Sequence, residues 1–510
     1  MNFKNLFSTI FIFSIIAILF TNPFLHYPYD IFQHLIEIDK YFLSNDIPEN
    51  RKIWHFIWAK IFYFFNIHNN DILFRAKIIH LVQTYIAFFS IYYFSKVVIR
   101  NLFQNIDTLA LKYLSFWSVI IWFSIFATYS MHYQLIWNLW YSVNYQITLP
   151  LFWYITTLTL ILILEKISTV KKIFFILQIL IISRFILQAH SMEYMYYLMY
   201  ILTITVVFID KILYISKKYF YILIPVVVTI IVFAKKYQPE NSAIFNYLSF
   251  EKLPKLYGLI VTEGEIIVNG FNRSLASINE LMYLTYYLAI IISIIFIRDI
   301  LKTKSNLMNT RVFVFIIITS MFVFIPLFEL SGGIFAIITR TNVINRIYYS
   351  SSLFVLIPIF VYYVCSLLFK NKILMINIIL ALIIFFTLLY SKYNNNLGHN
   401  YYKNVISIKN SFFERKVGFH LSKKQILTIG DKLKFYESIK KEKKPMYYYA
   451  RADIAFVIKY IFRKNVYWES RRANPDYIKL YTQCSQKHNK TYNCVLFQVP
   501  KGFPEYEPYK

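Results

Sequence analysis

The chain has 510 residues, 58% of them hydrophobic and only 16% charged, where soluble domains run at roughly 45–50% and about 25%. Its formal charge of +28 fits the cytoplasmic loops and lipid-facing surfaces of a basic membrane protein and does not argue for a nucleic-acid partner. The sequence holds no Walker A motif, no dinucleotide-binding glycine fingerprint, no HExxH and no CxxC pair, which sets aside ATP-driven pumps, nucleotide-dependent dehydrogenases and zinc peptidases.

The first apolar run, residues 6–25, follows Lys4 with no small-x-small cleavage site after it, so it reads as an uncleaved first span. Residues 53–65, IWHFIWAKIFYFF, are too short to span and are interrupted by His55 and Lys60. They fit an aromatic-rich helix lying in the membrane interface. Ten further runs follow near 76–95, 113–131, 147–164, 173–190, 194–209, 219–234, 281–297, 312–330, 347–369 and 373–391. Each is long enough, or nearly so, to cross roughly 30 Å of hydrocarbon as a helix.

Charge tests this layout independently. With the N-terminus inside, the cytoplasmic loops hold Lys96, Arg100 and Lys112, then Lys166, Lys171 and Lys172, then Lys211, Lys217 and Lys218. Arg298, Lys302, Lys304 and Arg311 follow, then Lys370 and Lys372. The outer loops 132–146 and 190–193 hold no Lys or Arg. This alternation is what the positive-inside rule demands. The expected fold is therefore an α-helical polytopic membrane protein of about eleven transmembrane helices, N-terminus inside and C-terminus outside. Its transmembrane domain covers 1–391, with a large first outer loop at 26–75.

The tail, 392–510, is rich in Lys, Asn, Tyr and Glu but carries strand-like stretches, KQILTIG, ADIAFVIKYI and NCVLFQV. It is long enough for one small extracytoplasmic mixed α/β domain. Cys365 lies in an apolar run and reads as an inert core residue. Cys484 and Cys494 lie ten residues apart in the tail. In an oxidising compartment they are expected to form a disulfide.

Residues outside the topology-setting cations concentrate on the outer face. After the first span comes HYPYDIFQHLIEIDKYF. With Pro28 in the first turn of a helix, Asp30, His34 and Glu37 fall at i, i+4 and i+7 on one face. Tyr41 extends that stripe, and Asp39 points the other way. A carboxylate and imidazole so placed can take a proton from a hydroxyl or hold a divalent ion; alternatively Asp30 serves only the helix terminus and the rest is a solvated face. In the last outer loop, Glu329 ends a span, Gly332 and Gly333 follow, and Arg340 and Arg346 precede the next span. Arginine there binds phosphate through its planar fork, or snorkels to lipid headgroups.

Three weaker constellations remain. SRFILQAHSMEY puts Arg184 within a span and His190 and Glu193 at its outer end; an intramembrane arginine is costly, and serves either a substrate or a buried carboxylate. The loop 235–280 holds Glu263, Glu265, Arg273 and Glu280, and is either a connector or a cover over a substrate. Trp137, Trp140, Tyr141 and Tyr145 suit an aromatic belt or, alternatively, stacking on a sugar.

An acidic residue directly after the first span, in a large outer loop with an interfacial helix, together with the Asp-x-x-x-His pattern of Asp30 and His34, resembles the GT-C-type membrane glycosyltransferases. The resemblance covers the whole layout. The doubled acid and the sequon-type motif of some branches are absent. It implies an enzyme of the inner (plasma) membrane that moves a sugar from a polyprenyl-phosphate or polyprenyl-diphosphate donor to an extracytoplasmic glycan, lipid or protein. It implies inversion at the sugar, Asp30 as general base assisted by His34, and Arg340 and Arg346 balancing charge on the departing phosphate. No organic cofactor is called for. The rival readings are an O-antigen or capsule polymerase, a lipid-linked glycan transporter or flippase, and a non-enzymatic assembly protein.

Overall fold

The structure is a computed structural model, and it describes residues 34, 37–39, 41–42, 52–67, 72–103, 105–124, 145–218, 254–255, 257–262, 265, 307–322, 325, 328–339, 347, 350–393, 423–439, 444–451, 454–455, 457–458, 462, 464–466, 477–487 and 493–498. These residues are mostly helical. The apolar runs 6–25, 219–234 and 281–297 lie outside them. The chain divides into two compact units: residues 1–85, 137–146 and 401–510, and residues 86–136 and 147–400.

The second unit is a helical bundle. Helix α1 (Ile53–Phe64) belongs to the first unit, and α2 (Ile72–Leu102) begins there and continues into the second. In the second unit follow α3 (Thr108–Ser124), α4 (Tyr145–Leu164, its first two residues in the first unit), α5 (Thr169–Ala189), α6 (Ser191–Val207) and α7 (Ile209–Lys218), then α8 (Leu307–Ser320), α9 (Glu329–Thr339), α10 (Leu353–Leu368) and α11 (Lys372–Tyr393). Helix α10 packs on α11, α3 and α8, and α6 packs on α5 and α8. Two stretches, Ile78–Leu102 in α2 and Ile147–Leu164 in α4, are long and apolar enough to cross a membrane. Helices α3, α6, α8, α10 and α11 carry shorter apolar stretches.

Aromatic side chains fill the middle of this bundle. Trp153 lies 4.7 Å from Phe94, 5.0 Å from Phe354 and 5.5 Å from Tyr200, centroid to centroid. All four are fully buried. Such rings bury large areas and favour the tilted and edge-on geometries seen here. Thr148 meets Glu193 and Phe152 meets Tyr196, an advance in the same direction along both helices, so α4 and α6 run parallel with α5 returning between them.

Polar contacts sort the helix ends. Arg100 at the end of α2 pairs with Glu165 just after α4. Lys211 Nζ donates to the Ile163 carbonyl at 3.2 Å, and Arg311 in α8 pairs with Asp210 at the start of α7. These ends share one side of the bundle. The start of α4, the end of α5 and the start of α6 gather on the other, through Thr148, His190 and Glu193.

The apolar run 312–330 is not one helix. Helix α8 ends at Ser320, and α9 starts only at Glu329. Pro326 lies between them in sequence; an interior proline removes an amide donor and crowds the preceding turn, a cost that α4 and α10 bear at Pro150 and Pro358. The end of α8 is fixed instead by hydroxyls. Ser352 Oγ lies 2.6 Å from Thr319 Oγ1, 3.0 Å from Ser320 Oγ and 3.0 Å from the Ile316 carbonyl. Ser351 Oγ donates to the Ser320 carbonyl at 3.2 Å, and Tyr200 Oη donates to that of Ser350.

In the first unit, the tail contains α12 (Lys423–Ser438), β1 (Met446–Tyr449), α13 (Tyr477–Lys487) and β2 (Asn493–Leu496). β1 and β2 are parallel, in register Met446↔Asn493 to Tyr449↔Leu496. Parallel neighbours need a crossover, and α13 lies within it. Among the described residues of the three strand-like stretches, those of NCVLFQV form a strand, Asn493–Leu496. KQILTIG lies in α12, where Ile426, Ile429, Gly430 and Leu433 form an inward stripe at helical spacing. In ADIAFVIKYI, Ile454 and Ala455 are α-helical, and Val457 and Ile458 form a π-turn. Cys484 of α13 and Cys494 of β2 are joined by a disulfide, with their Cα atoms 6.2 Å apart.

Candidate functional site

The first unit gathers the polar residues that follow the first apolar run. His34 and residues 37–39 are helical, with Ile38 fully buried. Helix α1 supplies Trp54 and His55, both buried, and α2 supplies buried Arg75 and Gln83. His34 Nδ1 and His55 Nε2 lie 2.7 Å apart, with the ring planes 7° from parallel. Trp54 stands edge-on to both rings, at 5.7 Å from His34 and 5.0 Å from His55. It is held by its own bond from Nε1 to Gln83 Oε1, 2.8 Å long and buried.

An imidazole pair of this kind shares one proton: one nitrogen donates and the other accepts, and the bond survives only while one ring is neutral. The separation is that of a hydrogen bond. Two nitrogens around a tetrahedral ion at about 2.0–2.1 Å would stand roughly 3.3 Å apart. Among the described residues, no three His, Cys, Asp or Glu side chains come together as metal ligands.

Two ion pairs flank the histidines. Glu37 lies 3.6 Å from Lys52 Nζ. Asp39 accepts from Arg75 Nη1 at 2.5 Å, and the guanidinium lies over the Phe42 ring, 5.1 Å from its centroid. Asp39 therefore anchors the helical segment to α2, while His34 engages α1. Asp30 lies outside the described residues. His55, Trp54, Gln83 and Arg75 complete the set, and the sequence reading treated none of them as part of a site. The available signals were a histidine inside an aromatic run and a glutamine inside an apolar one.

A second polar set lies in the second unit. Helix α5 passes into α6 through His190 alone. His190 Nδ1 and Glu193 Oε2 are 2.5 Å apart, and the same carboxylate oxygen accepts from Thr148 Oγ1 at 3.1 Å. Thr148 and Glu193 are fully buried, whereas the His190 side chain is 24% exposed. Glu193 Oε1 is buried and accepts no hydrogen bond among the described residues.

The remaining candidates fall elsewhere. Arg184 is exposed, on the stripe of α5 that also presents Ile173, Phe174, Leu177, Ile181 and Leu187. Glu329 is exposed in the first turn of α9, not at the end of a span. Gly333 lies within α9, where a Cβ would stand 1.8 Å from the Ile260 carbonyl oxygen. Its role is thus close helix packing rather than a turn. Glu265 is helical and exposed. Arg340, Arg346, Glu263, Arg273, Glu280, Trp137, Trp140 and Tyr141 lie outside the described residues. No family model, curated protein or solved structure matches the chain.

Proposed function

We propose that the chain is a polytopic glycosyltransferase of the inner (plasma) membrane, with its C-terminal tail on the extracytoplasmic side. It moves a sugar from a polyprenyl-phosphate or polyprenyl-diphosphate carrier to an extracytoplasmic acceptor, with inversion. Membrane placement is supported by composition, by two helices of spanning length and by the sorting of helix ends. Arg100, Glu165, Lys211, Asp210 and Arg311, which the charge pattern assigns to the cytoplasm, meet at one end of the bundle. His190 and Glu193, which the sequence places at an outer end, meet Thr148 at the other.

The reading is carried by the His34–His55 pair. It lies in the segment whose Asp-x-x-x-His pattern resembles the transferases, and it gives that segment a group able to exchange protons. The reaction needs a proton acceptor for the attacking hydroxyl and a cation for the leaving phosphate. The first outer segment and the α5–α6 corner each hold an imidazole bound to a second polar side chain, and Arg340 and Arg346 are the cations the sequence offers. The donor supplies the driving energy, so no nucleotide site is required.

The decisive experiment extracts polyprenyl-linked intermediates from a strain lacking the protein. Sugar-loaded carrier accumulating on the outer leaflet is the expected result. Loaded carrier confined to the cytoplasmic leaflet would make the protein a flippase, and an unchanged carrier pool would sink both readings.

A further inference from the structure

We propose that His190 is the proton acceptor for the attacking hydroxyl, with Glu193 and Thr148 as its positioning residues. The inference rests on the transfer reading above and moves the proton from Asp30, where the sequence placed it, to the α5–α6 corner.

The structural alternative is that Glu193 merely caps α6. The hydrogen bonds are not those of a cap. In a capping box the third helical residue reaches back to the cap residue's amide. Here that amide, on His190, donates to the Ile186 carbonyl at 2.8 Å, and the His190 side chain makes no capping bond. Glu193 instead directs one carboxylate oxygen onto both His190 Nδ1 and Thr148 Oγ1, leaving Oε1 buried with no partner among the described residues. A fully buried carboxylate with an unmatched oxygen is costly to keep, and membrane bundles retain such groups chiefly for function.

The arrangement is a base oriented by a third group. Holding the Nδ1 proton against Glu193 fixes the tautomer, so proton chemistry falls to Nε2. The partly exposed imidazole is bound to a buried carboxylate, which stabilises the imidazolium as it forms. In the His34–His55 pair the partner is another imidazole, which only shares an incoming proton. The acceptor hydroxyl gives its proton to Nε2, and its oxygen forms the new bond to the sugar's anomeric carbon. The bond from that carbon to the phosphate oxygen breaks, and its electron pair leaves on the phosphate. The other ionisable side chains nearest in sequence on these helices are Arg184 on α5 and Tyr194 and Tyr197 on α6.

The test uses full-length protein in nanodiscs, with the loaded carrier extracted from the deletion strain as donor and membranes of that strain as acceptor. His190→Gln should lower turnover by roughly 100-fold or more, the scale of a lost general base, with little change in KM. Glu193→Gln should lower turnover and shift its pH profile, Thr148→Val should do so more weakly, and added imidazole should partly restore His190→Gly. Gel-filtration profiles identify variants that fail to fold, and the imidazole rescue separates a missing base from a broken bundle. His190→Gln within threefold of the parent, with Asp30→Asn down 100-fold, would return the proton to Asp30. No transfer by the parent protein would overturn the transfer reading, and this inference with it.

Discussion

Breaking the Cys484–Cys494 bridge should loosen the tail by an amount its loop length predicts. The two residues are separated by 10 positions. For a closed loop of about that size, chain entropy gives roughly 9 cal/mol/K, or about 2.7 kcal/mol at 25 °C, removed from the unfolded state's advantage. The bond also ties the middle of α13 to β2 at the residue paired with Tyr447, so its loss should be felt by the strand pair. With denaturant slopes of roughly 1–3 kcal/mol/M, the urea midpoint of the tail should fall by about 1–3 M. The measurement is pulse proteolysis of full-length protein in micelles across a urea series, reading cleavage within residues 423–498. Cys484→Ala and Cys494→Ala each remove the whole bridge, so the double variant should be little worse than either single one. Additive losses would mean that each sulfur contributes by its own packing and that the loop argument is wrong. Alkylation of both thiols in denatured, unreduced protein would remove the bridge itself.

Asp39→Asn should cost about 2–4 kcal/mol, because Arg75 is 7% exposed at its side chain and loses its anionic partner. Thermal unfolding reads it, and adding Arg75→Met should recover much of the loss, which fails if the pair is dispensable. Ser352→Ala should destabilise the second unit by about 1–2 kcal/mol by breaking the contacts with Thr319, Ser320 and the Ile316 carbonyl; an unchanged midpoint would show those hydroxyls satisfied elsewhere. Burial, helped by Glu437 and Tyr436, pushes Tyr448 up to about 12. A raised value means its contribution is complete below about pH 10 and is lost as pH climbs towards 12, roughly 2–3 kcal/mol in all; Tyr448→Phe should flatten that alkaline slope. Asp210 is held below the usual carboxylate range, first by the hydrogen bond from Arg311. Its contribution is therefore present above the ordinary Asp value and lost as pH falls below it, and Asp210→Asn should remove this acid sensitivity without altering the neutral baseline of exchange protection elsewhere in the bundle.

Helices α2, α4, α5 and α11 were legible because long apolar runs leave the backbone one way to satisfy its own hydrogen bonds. The run 312–330 misled because hydropathy does not register where a helix is ended; Pro326 was visible, but the hydroxyl cluster at the end of α8 draws on Ser351 and Ser352, some thirty residues away. KQILTIG misled for the opposite reason. Seven residues are too few to separate a period of 2 from one of 3.6, and the stripe that decides for a helix emerges only when Leu433 is included.

The candidate sites divide along the same line between local and distant information. His190 and Glu193 lie three residues apart, so their pairing at a helix corner was within reach of the sequence. Their third member, Thr148, was not, because it depends on α4 running parallel to α6. The first outer segment is more extreme. Spacing alone put His34 and Glu37 on one face with Asp39 diverging, yet their partners come from α1 and α2, up to 36 positions away. One consequence is physical. Asp39, which spacing turns away from the other polar residues, is the carboxylate that anchors the segment through a buried arginine, while His34 and Glu37 reach partners on or just before α1. A substitution at Asp39 should therefore act on His34 indirectly, by releasing the helical segment from α2. That predicts loss of the His34–His55 contact in Asp39→Asn and its retention in Glu37→Gln. Carbethoxylation of His34 by diethyl pyrocarbonate, read by mass spectrometry, should rise in the first variant and stay at the parent rate in the second. Equal rates in both would show that the segment is held by the histidine pair alone.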